Sequence, residues 1–179
     1  MKKLELFSVP VYQGFFPHSD VDGVIEKLLN RNNEYVSLNR DTPIYKGDQV
    51  FDIQKEFPEF IDEMKRKFLE IDRKEYSVIN SWVNISNEGD GHNRHDHYQH
   101  NVYWNIVWYL KYEDGNGEIE FFNDSYSRYL SNNTETNHII IPMQFMWIAF
   151  PSWLPHHTRK NTLNSDRVSL VLDLGVEVV

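Results

Sequence analysis

The spacing of apolar residues changes near residue 76. Before it they recur at helical intervals; after it they alternate. Val21, Val24, Ile25, Leu28 and Leu29 follow an i, i+3, i+4, i+7, i+8 pattern behind Ser19 and Asp20, which suit a helix cap. Phe57, Ile61, Met64, Phe68 and Ile71 draw a second apolar stripe with a charged opposite face, and Pro58 suits its first turn. Ahead of both, Leu4 to Tyr12 reads as a strand or extended arm. Asn30 to Gln49 is polar and turn-rich, with Pro43 and Gly47, and is expected as loop carrying one short strand.

From Tyr76 onward the pattern predicts short strands separated by turns. Along Tyr76 to Asn87, Asn80, Trp82 and Asn84 share one face, while Ile79, Val83 and Ile85 lie mostly on the other. Asn101 to Tyr112 is apolar on both faces, as in a strand covered on both sides. Asp114 to Gly117 reads as a hairpin turn into Glu118 to Phe122. Asn123 to Asn137 is a long polar loop with the length of a lid. His138 to Pro142, Phe145 to Phe150, His156 to Arg159 and Arg167 to Leu174 supply the remaining strands. Helices followed by an antiparallel run predict a mainly β protein, a jelly roll or double-stranded β-helix of cupin-like form, with flanking helices buttressing one sheet. The expectation is one domain over 1–179, with an arm and two helices in 1–75 and the β-helix core in 76–179.

Composition narrows the function classes. The formal net charge of −9 argues against a nucleic-acid surface. With no cysteine, the chain has no disulfide, thiolate metal site or thiol nucleophile. The opening apolar run is broken by Glu5 and Pro10, unlike a signal peptide, and no apolar stretch approaches the roughly 20 residues that span a bilayer. A cytoplasmic protein without membrane contact is expected. Edge strands and aromatic surface leave a homodimer open.

The chemistry lies in the histidines. Four of the eight, His92, His95, His97 and His100, fall within nine residues. If His95 to His97 is extended, both imidazoles face one way and Asp96 the other, so two ring nitrogens can meet one cation. His156, following Pro155, is the best candidate for a third ligand. Three protein ligands leave coordination positions open, as a catalytic metal requires. His92, His100 and His157 are expected at the surface or in supporting roles, and His18 and His138 as structural. On the last strand, Val168, Leu170, Leu172 and Leu174 share one face, and Arg167, Ser169, Val171 and Asp173 the other. A guanidinium and a hydroxyl two residues apart, pointing into a barrel, can bind a carboxylate.

The set His-x-His at 95–97, Phe-Pro-Ser-Trp-Leu-Pro-His at 150–156 and Arg-x-Ser at 167–169 resembles the iron(II)- and 2-oxoglutarate-dependent dioxygenases. Within them it resembles an uncharacterised phage- and bacteria-associated branch related to prolyl hydroxylases. The resemblance covers roughly Ser81 to Leu174. It implies His95 as the first iron ligand, His156 as the distal one, and Arg167 on the far carboxylate of 2-oxoglutarate, helped by Ser169 and by Tyr109 or Asn84. It also implies dioxygen as cosubstrate and hydroxylation of a small molecule or peptide. The rings of Trp82, Trp104, Tyr109 and Trp147 are candidates to wall the pocket.

This chain departs from the superfamily's usual His-x-Asp/Glu at its second ligand. Alternation favours His97 there, and a local bulge would instead turn Asp96 inward. Three histidines leave the metal one unit more positive than two histidines and a carboxylate. Two other readings compete. Gly89, His95 and His97 fit the start of a cupin motif, in which a metal would act without 2-oxoglutarate, although the expected glutamate is missing between Tyr98 and Tyr103. A non-enzymatic jelly roll with a binding or structural role would hold no tight metal.

Overall fold

The computed structural model describes residues 8–29, 44–46, 53–122 and 137–177. In chain order the elements are β1 (Tyr12–Phe15), α1 (Val21–Leu29), β2 (Ile44–Lys46), α2 (Ile53–Glu56), α3 (Pro58–Asp72), β3 (Ser77–Ser86), β4 (His92–His95) and β5 (Val102–Lys111). They continue with β6 (Ile119–Phe122), β7 (Asn137–Ile140), β8 (Met146–Pro151), β9 (His156–Thr158) and β10 (Arg167–Gly175). Two antiparallel sheets form a jelly roll. One has the order β1-β8-β5-β10-β3-β2 and the other β4-β9-β6-β7.

The helices buttress the outer face of the six-stranded sheet. Val24 and Ile25 of α1 and Ile61, Met64 and Phe68 of α3 are buried against Trp104, Ile106, Trp108 and Leu110 of β5 and against Val168, Leu170, Leu172 and Leu174 of β10. Trp108 is fully buried, with Phe60 stacked on it at 4.2 Å and 20° and Phe57 edge-on at 5.3 Å. His18 also packs against Phe57 and Trp108, which gives it a structural place. The inner face of the same sheet meets the smaller sheet. Val107, Ile148, Phe150 and Val171 pack there against Ile119 and Phe121 of β6.

Several expectations move. The α3 stripe runs through Phe60, Ile61, Met64 and Phe68, whereas Ile71 is 41% exposed, and the last turn is held to the sheet by Asp72, which accepts from the Trp104 indole N–H at 2.6 Å, before Arg73 ends the helix in the left-handed region. The first strand begins at Tyr12 rather than ending there. Leu4 to Phe7, the side chains of Leu28 and Leu29 and the expected lid over 123–136 lie outside the described residues. A bulge at Asp173/Leu174 pairs Leu174 with Val78, so Val78 rather than Ile79 packs toward the helices.

The turn at Asp114 to Gly117 does not make a hairpin. β5 pairs with β8 and β10, and β6 pairs with β7 and β9, so this turn carries the chain from one sheet to the other. The turn closes locally, with the Asn116 N–H donating to the Glu113 carbonyl, and is tied to the 161–165 segment: the Gly115 carbonyl accepts from the Thr162 N–H, and the buried Asn116 side-chain amide donates to Asn161 Oδ1 and the Ser165 carbonyl. Among the described residues, no helix is long and apolar enough to cross a membrane.

Truncating a ring that fills a core leaves a cavity, whereas trimming a half-exposed side chain does not. Chemical denaturation should show Phe60→Ala losing about 3–5 kcal/mol, and Ile71→Ala staying within about 0.5 kcal/mol of wild type.

Candidate active site

A cavity of about 340 Å³ lies between the sheets, along the inward face of β10. From Arg167 to Asp173 that strand takes six steps of ~3.3 Å, or roughly 20 Å. β10 is flanked by β3 and β5, so each inward residue heads a row of three. Ser169 lies between Asn84 and Tyr109, Val171 between Trp82 and Val107, and Asp173 between Asn80 and Asn105. The cavity therefore has a polar row at each end and an apolar row in the middle. Arg167, opposite Ser86, closes one end.

The opposite wall holds the histidines. β4 pairs with β9 so that His95 lies across from His156, and one ligand atom from each of His95, His97 and His156 falls within 4.8 Å of the others. The strand stops at His95, and the Ser152 carbonyl fixes the next turn by accepting from the His97 N–H at 2.8 Å. Each ring is oriented through Nδ1: His95 to the Asn93 carbonyl at 2.6 Å, His156 to the Leu154 carbonyl at 3.0 Å, and His97 to Asp173 Oδ1 at 3.2 Å. Nε2 of each is left to meet a cation. Trp82 stacks on His97 with ring centres 5.4 Å apart and planes 9° apart, and Phe150 packs edge-on against His156 at 4.6 Å.

The electrostatics suit the donor set. Burial, with His95 and His97 nearby, holds His156 well below its ordinary range, and burial does the same more mildly to His95. Neutral imidazoles are the form that ligates a metal. Three nitrogen donors with open positions suit iron(II) as well as other divalent first-row metals. Asp96 is exposed, lines the same cavity and accepts at Oδ1 from the Tyr98 N–H at 3.0 Å, while the ligand atoms that fall within 4.8 Å of one another are those of His95, His97 and His156.

At the other end the buried Arg167 is held by neutral groups. Nη1 donates to the carbonyls of Asn116 and Gly117 at 2.8 and 3.0 Å, and Nη2 donates to Ser86 Oγ at 2.7 Å. A β-carbon on Gly117, at φ +98°, would fall 2.7 Å from that Nη1, so glycine is needed for the carbonyls to come so close. Among the described residues no carboxylate pairs with Arg167, and Asn84 Oδ1, in the same cavity, is buried without a partner. A guanidinium has five N–H donors. Among the described residues three are seen engaged, all with neutral oxygens. Tyr109, across from Ser169, is buried, and burial pushes its phenol up.

Other sequence candidates part company here. Trp104 and Trp147 belong to the helix-facing core, not the cavity, whereas Trp82 and Tyr109 line it. His157 faces away from His156 and bonds Glu120 at 2.9 Å beside Arg159. His100 and His138 are exposed. His92, expected at the surface or in support, lines the cavity across from Thr158. Asp173, Asn105 and Asn80 had no assigned role, although the parity of β10 already turned Asp173 inward.

Burial, with His95 and Arg167 nearby, lowers His92 from 6.5 to about 3. Above pH 6.5 neither the folded nor the unfolded chain protonates this ring, so it contributes nothing to pH dependence. Below it the unfolded chain gains a proton that the folded one refuses, and stability falls until about pH 3. In the metal-free protein, thermal melts between pH 7 and 5 should show a loss from this ring on the order of 1–2 kcal/mol. His92→Gln should remove that share and flatten the profile.

Comparison with known proteins agrees with this geometry. The sequence profile of the family described as "Putative 2OG-Fe(II) oxygenase" matches residues 80–173, which is 94 of the 179 residues. No curated protein matches the sequence significantly. Among solved structures, a prolyl-4-hydroxylase from Pseudomonas putida superposes with a TM-score of 0.68 at 16% identity, over 96% of this chain and 95% of that one. HygX from Streptomyces hygroscopicus, with nickel, 2-oxoglutarate and hygromycin B bound, gives 0.67 at 12% identity over 92% and 81%. A prolyl hydroxylase from Trichoplax adhaerens, in complex with a peptide fragment of the hypoxia inducible factor, gives 0.66 at 15% over 93% and 82%. At such identities these likenesses establish the fold, and the family match carries the assignment. With its jelly roll, its three converging histidines and its matched core, this chain belongs to the 2OG-Fe(II) oxygenases, whose cofactors are iron(II) and 2-oxoglutarate.

Proposed function

We propose that the protein is an iron(II)- and 2-oxoglutarate-dependent hydroxylase acting on an unactivated C–H bond of an amino acid, peptide or small metabolite. One observation carries this reading. A buried arginine with no carboxylate partner among the described residues shares a cavity with three histidines whose free ring nitrogens converge. A desolvated, unpaired cation is costly. An anionic ligand arriving with the metal offsets that cost.

The roles follow from position. His95, His97 and His156 hold the metal through Nε2, and their Nδ1 contacts keep the rings turned inward. The two remaining Arg167 N–H groups take the far carboxylate of 2-oxoglutarate, as charge-assisted bonds. The Ser169 hydroxyl and the Tyr109 phenol border that carboxylate, and Asn84 presents its unpartnered amide oxygen beside them. Val107, Val171 and Ile119 form a dry middle section that excludes water from the reacting centre. Bound iron(II) and 2-oxoglutarate supply the oxidation, in which dioxygen gives one atom to the substrate and one to succinate, with release of carbon dioxide. Substrate approaches at the exposed end, past Asn80 and Gln99. The small-molecule and peptide complexes of the structural relatives keep both substrate classes in play.

The test is anaerobic titration of metal-free protein with iron(II) and then 2-oxoglutarate, following the weak visible absorption of a keto acid chelated to iron. Wild type should develop the band, and Arg167→Ala should need about 100-fold more 2-oxoglutarate, the loss expected for charged hydrogen bonds. Asp96→Ala should retain it. A wild-type protein that binds iron(II) but never develops the band would overturn the 2-oxoglutarate reading, and loss of iron in Asp96→Ala would make Asp96 the second ligand.

A further inference from the structure

The three-histidine set lacks the carboxylate that usually accompanies two histidines in this superfamily. The geometry points to Asp173 as the residue that supplies this charge from one position further out, acting through His97. Asp173 is a positioning residue, and the inference rests on the metal-site reading above.

Asp173 is 1% exposed. Its Oδ1 lies 3.2 Å from His97 Nδ1 and accepts from the Asn105 amide at 2.7 Å, while Oδ2 accepts from the Asn80 amide at 3.0 Å. Among the described residues no lysine or arginine reaches it. A buried carboxylate held by two neutral amides and one imidazole remains poorly compensated. A divalent cation on the far side of that imidazole provides the missing counter-charge.

The tautomer makes the coupling directional. Asn105 Nδ2 also lies 3.0 Å from His97 Nδ1, and an amide nitrogen can only donate. If His97 Nδ1 accepts from Asn105, the ring proton sits on Nε2 and the ring cannot ligate. If Nδ1–H donates to Asp173, Nε2 presents its lone pair to the metal. The carboxylate therefore selects the ligating tautomer, increases the basicity of Nε2 and fixes the ring plane, while Trp82 stacks on the ring face. Counted formally, a divalent ion and one carboxylate leave a single positive charge, the same as in a site with two histidines and a directly bound carboxylate.

The arrangement is built by register. Asp173 is cross-strand neighbour to both Asn80 and Asn105, and the bulge that follows it ends the regular alternation there. Asn105 is fully buried, and its Oδ1 has no partner. Burying an amide in this way is a cost, offset by its bond to the carboxylate.

Full-length protein, stripped of metal, is titrated with Zn(II) as a redox-silent probe in competition with a chelator, for wild type, Asp173→Asn, His97→Ala and the double variant. Asp173→Asn should weaken Zn(II) binding about 10- to 100-fold, as loss of an outer carboxylate does. Its metal-free melting temperature should equal or exceed that of wild type, because a poorly compensated buried charge has been removed. In the His97→Ala background the same change should alter Zn(II) affinity by less than about two-fold, because the effect passes through the ring. A fall in metal-free melting temperature with unchanged affinity would assign Asp173 a structural role and overturn the inference. An equal loss of affinity with or without His97 would make Asp173 a direct ligand and also overturn it. If wild type binds no Zn(II), the metal-site reading itself fails; if wild type binds tightly and Asp173→Asn binds as well, only this inference does.

Discussion

The seating of β10 between β3 and β5 is the constraint on which the rest depends. A strand hydrogen-bonded on both edges has little freedom to slip, because a one-residue shift would send Val168, Leu170, Leu172 and Leu174 into the cavity and Arg167, Ser169 and Asp173 into the helical core. The apolar face is pinned by α1 and α3, so the polar face is pinned with it. The helices contribute no cavity residue, yet their packing on Trp108 and its neighbours is what holds Arg167 and Asp173 inward.

From that strand the site acquires two electrostatic ends. Arg167 is a buried cation whose seat consists of carbonyls and a hydroxyl, and Asp173 is a buried anion whose seat consists of amides and an imidazole. Neither is paired with the other. Under the proposed function an anionic cosubstrate would meet the first and a metal cation, through His97, the second. Such incomplete pairing is expensive in a protein that only needs to fold, and functional sites are where it is retained.

The smaller sheet supplies the complementary wall with short elements. β4 and β9 are four and three residues long, and they suffice because His95 and His156 are direct cross-strand partners. Backbone carbonyls at Asn93, Leu154 and Ser152 then aim the rings and the turn carrying His97. The turn from Asp114 to Gly117 joins the two walls and lends Arg167 its carbonyls, so the crossover between sheets and the anchoring of the anion end are one feature.

Much of this was legible along the chain. Period-two alternation fixed the two faces of β10 and the shared face of Asn84 and Trp82, because side-chain direction in a strand is a local property. Helical spacing located α1 and α3, and the histidine and arginine motifs indicated the family and the cofactors. What the chain alone left open depends on long-range pairing. Phe60 lies in the core and Ile71 does not, because tertiary packing, not helical spacing, decides which positions are covered. The apparent hairpin at Asp114 became a crossing between sheets because β8 and β10 occupy both edges of β5. Asp173 could be seen to face inward, but that it lies under His97, 76 residues away, is set only when β4 and β10 come together across the cavity. Within regular strands such as β10 the sequence determined which way each side chain points, and tertiary structure decided what each one meets and where a bulge breaks the pattern, because alternation is local while register and strand neighbours are set by the whole core.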